Sequence, residues 1–229
     1  HGLNAPRLKP ILLVGEPGTG KTTLAVKIAE YFKLHATIVA VGGTGDAASL
    51  AAVTRGWNGS RPCAPFLAIH KSNFADPCII VDEIDKAPVL GGHNGSPTGT
   101  LLSMLSSPEA FYDTCLLSNF NISRVFWIAT ANSLESIPDA LVDCFQVFVV
   151  PRPQADHFGT VTKSMNARLA RELDTIPEFL PALDEDEYNA LKSFFCDNRG
   201  SLRQFDRVFR FVIGEALKRE QSIPRSALC

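Results

Sequence analysis

Several things are missing from this chain. It has no pair of cysteines in C-x-x-C spacing. Its six cysteines, Cys63, Cys78, Cys115, Cys144, Cys196 and Cys229, follow no regular interval across 229 residues. A chain of that length builds a core without disulfide staples, so they read as reduced thiols of a cytoplasmic protein. No apolar run approaches the roughly 20 residues that cross a bilayer, and residues 11–14 and 147–150 have only the length of buried strands. No membrane partner is expected. An excess of one charge sign is also missing: 22 Lys and Arg stand against 24 Asp and Glu, for a net charge of −2. That balance removes the electrostatic case for a dedicated nucleic-acid binder. Internal repeats and low-complexity segments are absent. The Cys63, His70, Cys78 spacing fits no zinc pattern, and no serine sits in a G-x-S-x-G elbow. Residues 1–10 lack both an initiator Met and an apolar signal core, as an excerpt of a longer protein would.

What is present is an ordinary globular composition, 45% hydrophobic and 20% charged, arranged as short β-branched runs alternating with helical patterns. That alternation predicts a parallel sheet with crossover helices. The expected strands are residues 11–15, 37–41, 78–82, 125–130 and 145–150. Helices are expected at 21–32, with an apolar stripe of Leu24, Ala25, Ile28 and Phe32, and at 46–55, 98–105 and 138–143. Pro151 and Pro153 break the last strand, and a helical tail follows, with helices at 154–173, 184–196 and 201–218. The expected organisation is therefore an α/β domain over residues 1–150 and a small helical domain over 151–229. Arg207, Arg210, Lys218 and Arg219 read as a solvated helix face, and residues 90–99 as a glycine-rich loop.

The most specific signal is Gly15-Glu16-Pro17-Gly18-Thr19-Gly20-Lys21-Thr22, which satisfies G-x-x-x-x-G-K-[ST] between a buried strand and an amphipathic helix. Glycines let successive backbone N–H groups turn toward one phosphate, and the helix N-terminus adds partial positive charge. Those eight residues and Thr23 are the candidate ATP contacts. Lys21 is placed to neutralise the β and γ oxygens and the Thr22 hydroxyl to meet Mg²⁺. Residues 78–83 read as an apolar strand ending in Asp82 and Glu83, which places the carboxylates at the C-terminal edge of the sheet, where doubly wound folds bind ligands. Asp82 is the second Mg²⁺ candidate, and Glu83 the group that orients or deprotonates the attacking water. Taken alone, the pair also reads as a solvated acidic turn.

These two segments resemble the Walker A and Walker B motifs of AAA+ ATPases, more narrowly those of the ATPase module of the Lon protease family. The resemblance implies a P-loop NTPase fold, a parallel five-stranded sheet flanked by helices, with the C-terminal helices as its lid. Residues 126–133, Phe-Trp-Ile-Ala-Thr-Ala-Asn-Ser, are similar to the sensor 1 strand, which implies that Asn132 positions the lytic water. Residues 200–207 are similar to the sensor 2 segment, which implies that Arg203 contacts the γ-phosphate; its fixed charge and forked donors suit the task, although an exposed helix arginine is the plainer reading. Residues 55–62 resemble the pore loop of Lon-type unfoldases, with Trp57 and Asn58 gripping a substrate chain. A glycine-flanked aromatic exposes apolar area unless something binds it; a Trp folded back onto the domain is the other reading. Residues 90–99 are a second pore-loop candidate.

Two departures from the family stand out. Cys144 follows Asp143 where the family has the arginine that reaches into the neighbouring subunit, and Arg124 and Arg152 flank the region without matching the position. No Ser-Lys peptidase segment is expected within these residues. The resemblance implies ATP and Mg²⁺ as cofactors, a ring homo-oligomer, expected to be a hexamer, and a protein chain as substrate. Nucleic-acid remodelling stays open, since the class serves both kinds of machine. So does a weakly hydrolysing nucleotide switch or scaffold, because of Cys144.

Overall fold

Strands whose residues are apolar on both faces sit in the middle of the first unit. The structure, a computed structural model, describes residues 8–42, 47–87, 95–197 and 201–222, without the side chains of 220–222. By its contacts the chain forms two compact units, one of His1–Glu16 and Lys21–Val150, the other of Pro17–Gly20 and Pro151–Cys229.

In the first unit, β1 (Ile11–Val14), β2 (Ala36–Ala40), β3 (Cys78–Asp82), β6 (Phe126–Ala131) and β7 (Gln146–Val149) form one sheet in the order β2-β3-β6-β1-β7. Every pairing is parallel. The strands fall within a residue or two of the expected spans. Alternation along β3 divides the core: Ile79 and Val81 pack on one face with Leu12, Trp127 and Leu101, while Cys78 and Ile80 pack on the other with Leu13, Ile128, Ala25 and Ala29. Both faces are covered, as a parallel sheet requires.

Helix α1 (Lys21–Tyr31) runs from the phosphate-loop segment, and the face it buries keeps only part of the expected stripe, Ala25 and the half-buried Ile28. Lys21, Ala25 and Ala29 are buried, whereas Leu24 and Phe32 are exposed. Small residues let the helix lie close on the sheet, and larger ones are displaced outward. The helix expected at 46–55 is a second correction. Residues 47–49 make one 3₁₀ turn, and Val53 then pairs antiparallel with Arg61, so a short-range β-bridge overrides the helix propensity of an alanine-rich stretch. Helix α2 (Ala64–Ser72) and a hairpin of β4 (Phe111–Asp113) and β5 (Ser118–Phe120) appear where none was expected, and α3 (Pro97–Ser106) and α4 (Asp139–Val142) where helices were.

The second unit holds α5 (Phe158–Glu172), α6 (Glu185–Asp197) and α7 (Leu202–Ser222) around a core of Phe158, Leu169, Phe195, Phe205 and Phe209. Of the residues expected on a solvated helix face, Arg207, Lys218 and Arg219 are exposed, whereas Arg210 is half-buried in an ion-pair network. The guanidinium of Arg210 donates to both Glu172 oxygens, at 2.7 and 3.0 Å, and to Asp206, joining α5 to α7. Arg219 bridges Asp184 and Glu187. The Leu202 N–H donates to the Gly18 carbonyl at 2.9 Å. Among the described residues, no helix is long and apolar enough to cross a membrane.

Candidate nucleotide-binding site

Three strand ends assemble the site: the loop after β1, the acidic end of β3 and the polar end of β6. Gly15 N–H donates to the Ala131 carbonyl at 3.2 Å, fixing the start of the loop beside the end of β6. Gly18 and Gly20 then take φ values of +84° and +90°, a region open to glycine and strained for other residues. The loop hands over directly to α1, whose first residue is Lys21. Its ammonium donates to the carbonyls of Gly15 and Glu16, at 2.8 and 3.0 Å, and to Asn132 Oδ1 at 3.0 Å. Burial lowers the pKa of Lys21, and the charges of Asp85, Asp82 and Glu83 oppose that shift. The positive charge is thus held in a partly dry, acid-lined position.

One residue on, the Thr22 hydroxyl donates to Asp82 Oδ1 at 2.7 Å. The same oxygen accepts the Thr130 hydroxyl at 2.6 Å, and Thr130 Oγ in turn accepts the Glu83 N–H at 3.0 Å. Glu83 has left-handed backbone, φ 58° and ψ 49°, uncommon for a residue with a side chain. A Cβ on Gly42 would lie 3.1 Å from Glu83 Oε2, so glycine there leaves room for the carboxylate. Lys86 pairs with Glu83 Oε1 at 2.7 Å. Asn132 Nδ2 donates to Asp85 Oδ2 at 3.1 Å, while Asp85 Oδ1 is buried without a hydrogen-bond partner among the described residues.

Lys21, Thr22, Asp82, Glu83 and Asn132 are therefore brought together within the first unit. Thr130, Asp85 and Lys86 join them, although the sequence had assigned them no role. The signal was available: the parallel register pairs Val81 with Ala129, so the next residues along, Asp82 and Thr130, become neighbours. A hydroxyl and a carboxylate are hard oxygen donors suited to Mg²⁺, which characteristically binds one or two such groups together with phosphate oxygens and water. Among the described residues no cluster of three or more His, Cys, Asp or Glu forms a metal site of its own. The donor set therefore fits a metal carried in with phosphates.

Trp57 is 65% exposed in a loop turned at Gly56 and Gly59, both at positive φ. It has not folded back into the core, and Asn58 beside it is exposed. Arg203 is an exposed residue in the first turn of α7, in the second unit. Cys144 donates its thiol to the Ala140 carbonyl at 3.4 Å. Of the second pore-loop candidate, residues 90–94 lie outside the described residues.

Known proteins are similar to this chain in sequence. The chain is 28% identical over 216 residues to "Lon protease homolog, mitochondrial" of Candida glabrata, covering 92% of this chain and 21% of that protein. It is 38% identical over 156 residues to "Lon protease 1" of Bdellovibrio bacteriovorus, covering 67% and 19%, and 36% identical over 142 residues to "Lon protease" of Clostridium beijerinckii, covering 61% and 18%. The chain thus spans about a fifth of the length of these relatives. Residues 11–152, which hold the loop, both acids and Asn132, match the "ATPase family associated with various cellular activities (AAA)", and the chain belongs to that family, with a Lon-like ATPase module.

Proposed function

We propose that this module binds and hydrolyses Mg²⁺-ATP and that, in a ring of like subunits, the cycle drives the unfolding or remodelling of protein chains. The observation that supports this reading most is the meeting of a buried ammonium, a hydroxyl–carboxylate pair and a second acid at the ends of adjacent parallel strands. Mg²⁺, when bound, supplies charge neutralisation at the phosphates, with Thr22 and Asp82 as its protein contacts. The residues of the chain do the rest. Lys21 exchanges its carbonyl contacts for phosphate oxygens. Glu83 leaves Lys86 and takes the proton of the attacking water, which Asn132 orients. Arg203 is the proposed γ-phosphate contact from α7, and the exposed Trp57 with Asn58 the contact to a substrate chain. The cytoplasmic placement remains part of this reading, supported by free cysteines.

A second reading, a nucleotide-dependent switch or scaffold that hydrolyses slowly, draws on Cys144, a cysteine where the resemblance expects an arginine. One pair of variants tests the main reading. Glu83→Gln is expected to keep ATP binding and lose turnover, and Trp57→Ala to keep turnover and lose substrate-stimulated work. Retained hydrolysis in Glu83→Gln would remove Glu83 as the base, and undiminished protein remodelling by Trp57→Ala would remove the pore assignment.

A further inference from the structure

We propose that Thr130 is a positioning residue that sets the metal carboxylate and the general base as one rigid pair. The proposal rests on the ATPase reading and assigns a role to a residue that the reading leaves unused.

Thr130 is buried at 1% exposure in β6, beside Asp82 by the parallel register of β3 and β6. A hydroxyl has one hydrogen and two lone pairs, and here it uses both capacities. The hydrogen goes to Asp82 Oδ1 at 2.6 Å, and a lone pair accepts the Glu83 N–H at 3.0 Å. Each bond has its own consequence. The first, together with Thr22 Oγ1 at 2.7 Å, gathers two donors on Oδ1 and fixes the rotation of the carboxylate. The second pins the backbone at the point where Glu83 adopts left-handed φ and ψ. Conformations of that kind persist only where their surroundings determine them. One buried oxygen therefore fixes the orientation of Asp82 and the chain reversal that carries the Glu83 carboxylate. Valine at 130 would keep the β-branched shape that the strand favours while removing both bonds; serine would keep both bonds and lose only a methyl.

The test compares the wild-type chain with Thr130→Val and Thr130→Ser in three measurements: binding of a fluorescent ATP analogue without metal, Mn²⁺ binding by electron paramagnetic resonance with a non-hydrolysable ATP analogue present, and steady-state ATP turnover. Metal-free nucleotide affinity of Thr130→Val is expected to stay within about twofold, because the phosphate cradle is not touched. Its Mn²⁺ affinity and kcat are each expected to fall by about tenfold or more, the scale of a lost hydrogen bond to a charged group, and KM for the metal–ATP complex is expected to rise with the lost metal affinity, as the cycle linking metal and nucleotide binding requires. Thr130→Ser is expected to restore most of both.

A Thr130→Val protein with wild-type Mn²⁺ affinity and kcat overturns the proposal, and so does a Thr130→Ser protein as impaired as the valine variant, since shape would then be what matters. Should Thr130→Val fail to fold by circular dichroism, Thr130→Ala replaces it, and no recovery from Ala to Ser overturns the proposal equally. A wild-type protein that binds neither nucleotide nor metal removes the ATPase reading itself, and this proposal with it.

Discussion

At the scale of single residues, burial decides which groups react. Cys63 and Cys78 lie in the core of the first unit, and burial pushes both thiols up to about 12; for Cys63 the adjacent Asp113 carboxylate adds to the shift. A thiol is a poor nucleophile while it keeps its proton. Alkylation of the native protein at pH 8 is therefore expected to modify the exposed Cys196 and to spare Cys63 and Cys78 until the chain unfolds. Peptide mapping after iodoacetamide checks this, and early modification of Cys78 would show that its face of the sheet opens readily. The same shifts set a pH dependence. The folded-state pKa values lie above the ordinary 9.0, so the unfolded chain releases these protons first. Stability from the two buried thiols is complete below pH 9 and is lost as pH climbs towards 12.

Among elements, the least legible region of the sequence turns on one buried carboxylate. Asp113, fully buried at the end of β4, accepts the N–H of Cys63 at 2.8 Å and those of Cys115 and Leu116 at 2.9 Å. It thereby ties the residue before α2 to the β4–β5 hairpin, and the Thr114 carbonyl next to it accepts the Arg55 N–H at the base of the Trp57 loop. Asp113→Ala orphans three donors and is expected to cost about 3 kcal/mol or more, read as a lower midpoint in urea, with faster amide exchange in the Trp57 loop. An unchanged midpoint would mean that water replaces the carboxylate without penalty. This tie also explains what the sequence hid. The five sheet strands were legible because apolar runs bounded by turn residues need no distant partner to be recognised. Helix α2 and the hairpin were not, because their anchor joins residues 50 positions apart. The false helix at 46–55 arose the same way, with local propensity giving way to the Val53–Arg61 bridge. Within the site, the loop and the acids carry their own spacing, whereas Thr130 acquires meaning only once strand register is known.

For the whole molecule the question is whether one chain completes its own catalytic centre. The first unit brings together an ammonium, a hydroxyl–carboxylate pair, a second acid and an amide, the groups to which the proposed function gives phosphate, metal, base and water-orienting roles, but the position at which the Lon resemblance expects an arginine for the neighbouring site carries Cys144, whose thiol is turned to its own helix. Arginine fingers contribute about 10³ to 10⁵ in rate where measured in other NTPases, so the two functional readings diverge by far more than experimental error. A ring motor needs sites completed across subunits, and ATP turnover per subunit is then expected to rise with protein concentration above a Glu83→Gln blank. We expect that rise, because the exposed Trp57 in a loop pinned to the folded unit at Val53–Arg61 and Thr114 suits a chain-gripping role that a solitary switch has no use for. A rate flat with concentration and close to the blank, with ATP still bound tightly, would instead favour the switch. Cys144→Arg then separates causes: a gain of about tenfold or more, well inside the arginine-finger range, would locate the defect at that position, and no gain would show that another cation, such as Arg124 or Arg152, already serves or that none is needed.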